Sequence, residues 1–91
     1  MAQISAVEDQ LRQFVERQFP LARKNGFTND TNWLQNGAID SLGILDLVHF
    51  LESEFSVLVS DEELVPENFQ SLSSVTDFVS RKIGSKQTPQ G

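Results

Sequence analysis

Three stretches of this chain carry apolar residues at steps of three and four, and nowhere do apolar and polar residues alternate long enough to build a sheet. Its regular structure must therefore be helical. With 91 residues there is too little interior for two separate cores. The expected fold is all-α: a small four-helix bundle of three main helices and one short one, forming a single domain over residues 1–84, with residues 85–91 as a flexible tail. Hydrophobic residues at 38%, with seven phenylalanines and Trp33 for bulk, are enough for a small core and exclude disorder throughout.

The first stripe, Ile4, Val7, Leu11, Phe14 and Val15, predicts a helix over residues 3–18 that Pro20 stops. Ser5 and Glu8 match a capping box near its start. Residues 21–40 are rich in Asn, Gly and Thr and lack sustained periodicity, which predicts a long loop pinned by Trp33 and Leu34, with Phe27 and Ile39 dipping into the core. Asp40 or Ser41 then caps a second helix running to about Phe55. At 100° per residue, Ile44, Leu47, Val48, Leu51 and Phe55 share one face, the core face. Leu42, Leu45, Asp46, His49 and Glu52 share the other. Two leucines among carboxylates mark either a docking surface or side chains turned inward beneath the preceding loop. Val57 to Val59 is a candidate for a brief extended piece, and Pro66 with Glu67 suits the first turn of a short helix over residues 65–70. Ser73 or Ser74 caps the last helix, whose stripe is Val75, Phe78, Val79 and Ile83 and whose end is marked by Gly84.

Charge is placed unevenly. Seven basic residues against thirteen acidic ones give a net charge of -6, which excludes nucleic acid and anionic membrane as main partners. Three of the thirteen acids precede residue 25, so residues 25–80 hold the other ten and no lysine or arginine at all. Without cysteine there can be no disulfide scaffold, thiolate zinc site or cysteine nucleophile, and a reducing cytoplasm is permitted. The start, MAQISAVEDQ, lacks a basic flank and an apolar core, and no apolar run approaches the roughly 18 residues of a membrane span. A soluble cytoplasmic protein without a targeting segment is expected.

Catalytic and metal chemistry find no support. The single histidine, His49, is predicted on the exposed side of a helix two turns beyond Ser41, too far along the same rod to form a triad with Ser41 and Asp40. A calcium loop beginning at Asp30 would need glycine at its sixth position and glutamate at its twelfth, where Gln35 and Ser41 stand. Asp61, Glu62 and Glu63 are consecutive and splay around a helix start as a solvated acidic cluster. No catalytic residue and no metal ligand are assigned.

Ser41 remains, in Gly37-Ala38-Ile39-Asp40-Ser41-Leu42, at the end of a glycine-containing loop and the start of a helix. By itself Asp-Ser-Leu is a triplet that many helices carry as a simple cap. It is joined here by Leu47-Val48, Leu51-Glu52-Ser53-Glu54-Phe55, Asp61-Glu62-Glu63-Leu64 and Pro66-Glu67-Asn68-Phe69. In that combination the chain resembles the acyl carrier and peptidyl carrier protein family along nearly its whole length, a family of phosphopantetheine-bearing helical bundles.

The resemblance implies that a phosphopantetheinyl transferase moves the 4'-phosphopantetheine part of coenzyme A onto the Ser41 hydroxyl, with Asp40 and Leu42 flanking the attachment. The arm ends in a thiol that this cysteine-free chain cannot itself provide, and acyl or aminoacyl groups ride on it as thioesters. It further implies a monomer that is substrate and shuttle, not catalyst. Its partners would be an acyl- or aminoacyl-loading ligase and a downstream transferase or synthase, with basic patches that meet Leu42, Leu45, Asp46, His49 and Glu52. Fatty-acid carriers usually have another acidic residue just after Asp-Ser-Leu and a glutamate run at the helix end; Gly43 and an interrupted Glu52-Ser53-Glu54 stand here. Ile39 and the Pro66 to Phe69 segment are more similar to discrete bacterial carriers of dedicated pathways, including those that load an amino acid. The alternative, from a different class, is an acidic helical adaptor of the same fold that binds partners without a prosthetic group.

Overall fold

A computed structural model describes residues 2–87, with side chains from residue 6 to residue 84. The helices are α1 (Ala2–Gln18), α2 (Pro20–Asn25), α3 (Ser41–Phe55), α4 (Pro66–Phe69) and α5 (Leu72–Gln87), with a 3-10 turn at Asp61–Glu63; no strand occurs among the described residues. The three long helices are the three predicted from apolar periodicity, and α4 is the short fourth. Val57 to Val59 forms no strand; its residues simply connect α3 to the turn.

Four local expectations need correcting. Pro20 does not open a loop. It occupies the first turn of α2, where its missing N–H costs nothing, after a one-residue extended break at Phe19. α1 begins at Ala2, so Ser5 lies within its first turn and the Ser5–Glu8 pair does not mark its start. At the other end of the chain, Ser71 caps α5: its Oγ accepts from the Ser74 N–H at 3.1 Å, so Ser73 and Ser74 are already helical. The same helix runs through Gly84 to Gln87, because a glycine alone weakens a helix without ending it. The rest of the expected tail, residues 88–91, lies outside the described residues, as does the side chain of Ile4.

The core joins Val7, Leu11 and Val15 of α1 to Leu47, Val48 and Leu51 of α3 and to Leu72, Val75, Phe78 and Val79 of α5, all buried. Phe14 stacks on Phe50 at 4.1 Å between ring centres, while Phe19 lies against Gly43 at the start of α3, so α1 and α3 run antiparallel. Residues 26–40 are held from inside. Trp33 is 1% exposed; its Nε1–H donates to the Phe69 carbonyl at 2.6 Å and its backbone N–H to the Gln70 carbonyl at 2.9 Å. Phe27 meets the indole edge-on at 5.7 Å, and the Ile39 N–H donates to the Trp33 carbonyl. One buried indole thus ties a loop with no helix of its own beyond α2 to the chain just before α5. Leu34, expected beside it as a pin, is only half-buried and packs against the edge of the core.

Candidate functional site

The long loop delivers Asp40 to the N-terminus of α3 in an extended conformation, and its Oδ1 accepts from the Gly43 N–H at 2.8 Å. Asp40, not Ser41, is therefore the cap. Ser41 is the first helical residue, exposed, and its hydroxyl has no hydrogen-bond partner among the described residues. The amides of Ser41 and Leu42 precede any intrahelical acceptor and find none in the loop. A free hydroxyl thus stands beside two free N–H groups at the positive end of a 15-residue helix.

Gly43 explains a departure noted in the sequence. A Cβ there would lie 2.8 Å from Phe19 Cε1 and 2.9 Å from Ile39 Cγ2, so no larger side chain fits without displacing the aromatic ring. The place that an acid would take in a fatty-acid carrier is filled by the α1–α2 corner.

An apolar groove of about 230 Å³ opens beside Ser41. Ile44 and Leu45 of α3 form one side, Leu64, Val65 and Pro66 the other, and Leu34 and Phe69 complete it. Sequence reasoning did not place Leu64 or Val65 here. No local period marks them, since they follow a 3-10 turn and face α3 only through the tertiary fold. That wall is tied down by polar bonds: Glu63 receives the Lys82 Nζ at 3.0 and 3.1 Å and the Ser60 N–H at 3.0 Å, and the Asn68 side-chain amide donates to the Glu63 carbonyl at 2.8 Å. The Ser60 N–H first, and then the Lys82 ammonium, hold the Glu63 carboxyl below its usual range. Of the predicted acidic cluster, Asp61 and Glu62 are solvated, whereas Glu63 is a structural tie.

The predicted outer face of α3 is largely outward. Leu42 is 74% and Leu45 49% exposed, and Asp46 and His49 are exposed, so neither leucine turns in beneath the loop. Glu52 differs: it is half-buried and accepts from the Val59 N–H at 3.1 Å, tying the following segment to the helix. Leu58, which no periodicity singled out, is 81% exposed. Among the described residues no group of three or more His, Cys, Asp or Glu side chains could hold a metal ion, and no helix is long and apolar enough to cross a membrane.

The chain is similar to the probable acyl carrier protein PigG of a Serratia species, at 32% identity over 75 residues that cover 82% of this chain and 86% of that protein. It is also similar to the acyl carrier protein of Buchnera aphidicola subsp. Baizongia pistaciae, at 27% identity over 77 residues, covering 85% and 95% of the two chains. That of Buchnera aphidicola subsp. Acyrthosiphon pisum is 26% identical over 76 residues, covering 84% and 91%. No protein-family model and no solved structure matches the chain.

Proposed function

The chain belongs to the acyl carrier protein family, and from that premise we propose that Ser41 carries a 4'-phosphopantetheine arm on which an acyl or aminoacyl group is held and delivered to partner enzymes. As a family member it is a carrier and not an enzyme, and the family implies a phosphopantetheine group and partner enzymes in general. The observation that carries the proposal for this chain is the free, exposed Ser41 hydroxyl beside two unpartnered amides.

The residues fit such a group. Because Asp40 serves as the cap, the Ser41 oxygen is not consumed in holding the helix together. A phosphodiester at that oxygen lies against the Ser41 and Leu42 N–H groups and the positive helix end, which favour an anion. When bound, the arm supplies a thiol whose thioesters are activated toward attack while remaining tethered. The groove beside Ser41 offers that arm or its cargo an apolar resting surface. Asp46 and His49, with Leu42 and Leu45, face outward to meet enzymes with basic patches, and association on such a face is fast, weak and salt-sensitive. Action as a discrete, monomeric carrier in the cytoplasm, served by a phosphopantetheinyl transferase and a loading ligase, is part of the same proposal.

The test is incubation of the purified protein with coenzyme A, magnesium and a broad-specificity phosphopantetheinyl transferase, followed by intact mass. The wild type gains one phosphopantetheine and Ser41→Ala gains none. No adduct, or one that survives the substitution, contradicts the assignment and leaves an acidic helical adaptor, whose partner binding would be indifferent to Ser41→Ala.

A further inference from the structure

Leu58 is the most exposed large apolar side chain among the described residues, at 81%. A lone exposed leucine ordinarily needs no explanation. This one is presented on a pinned segment. Val57 before it is buried at 2% and Val59 after it is half-buried against the core, so successive side chains alternate and only Leu58 turns out. The Val59 N–H is held by the Glu52 carboxylate at 3.1 Å, which fixes the segment to α3, on the side that also carries Leu45 and His49. Leu58 is therefore displayed in one place, so little ordering is needed when it binds.

The surroundings indicate what would cover it. Glu54, Asp61 and Glu62 are exposed close by in the chain, and residues 25–80 contain no lysine or arginine. From Ser41 to the end of α3 is about 20 Å at 1.5 Å per residue. One partner patch of ordinary size, about 800 Å², can reach both ends. We infer that Leu58 is a distal apolar anchor of the docking surface, received by an apolar socket within the basic patch of the enzymes that act on Ser41, the phosphopantetheinyl transferase included.

This rests on the proposed role of Ser41, and one set of reactions separates the two. With a broad-specificity transferase and coenzyme A as the probe, kcat/KM is measured for wild type, Leu58→Ala and Leu58→Lys. Leu58→Ala should lower kcat/KM through KM by roughly five- to thirty-fold. Leu58→Lys, which sets a like charge against a basic partner, should lower it further. The thermal midpoint and helix content of Leu58→Ala should match the wild type, since the side chain supports no packing. If the wild type is modified but both variants react as fast, the anchor is refuted while the Ser41 assignment stands. If the wild type is not modified, both fall together.

Discussion

The two sides of α3 make opposite uses of the same residue type. On the inner side Leu47 and Leu51 are fully buried in the core that α3 shares with α1 and α5. On the outer side Leu42 stands in solvent and Leu45 is half exposed at the groove, beside the exposed Asp46 and His49. Leucine alone therefore says nothing about role; the neighbours and the angle around the helix decide whether it holds the fold or meets a partner. Carriers need both at once: a rigid rod, and on it a face left uncovered.

The sharpest way to break this contrast is to truncate each side in turn. Leu51→Ala should cost about 2 to 5 kcal/mol in denaturant unfolding, the usual loss for a buried leucine. Gly43→Ala comes next: its Cβ would press on Phe19 and Ile39, and the strain expected of an overpacked site is about 1 to 3 kcal/mol. A Gly43→Ala protein as stable as wild type would show that the α1–α2 corner gives way freely. The groove wall opposite α3 supplies a smaller, pH-dependent effect. The folded-state pKa of Glu63 lies below its unfolded value of about 4.5, so its contribution is present above that pH and is lost as pH falls through the lowered value. Lys82 and Glu63 are each about a third exposed, so the contribution is modest. Wild type should lose its advantage over Glu63→Gln between mildly acidic and strongly acidic pH, read as converging thermal midpoints. Smallest of all, Leu42→Ala should change stability by less than about 0.5 kcal/mol while slowing modification of Ser41. Equal stability losses for Leu51→Ala and Leu42→Ala would dissolve the distinction between the faces.

The long helices were legible because burial of one face imposes its period on the sequence, and Val7, Leu11, Val15, Leu47, Leu51, Val75 and Val79 are buried where that period puts them. So was Trp33 as a pin, since a large aromatic in a polar loop must find a core. Features set by pairing across the chain were not legible. The bond from Trp33 to the Phe69 carbonyl, the Lys82–Glu63 tie and the Leu64–Val65 wall join residues that no local pattern relates. Helix boundaries were misjudged for a related reason: Pro20, Ser73 and Gly84 each have the right chemistry for a boundary, but the break falls at Phe19, Ser71 caps α5, and that helix continues past Gly84. At the site, Asp40, Ser41 and Leu42 could be read directly, whereas Leu58 could have been suspected only from the in-out alternation of Val57, Leu58 and Val59.

The central claim is that the oxygen of Ser41 is the point of attachment. Tandem mass spectrometry of the Ser41-containing peptide, taken from protein isolated from the cells that make it, tests this most directly. A phosphopantetheine, bare or acylated, on Ser41 is the predicted result; a serine unmodified throughout the population, or the group on another residue, would contradict it.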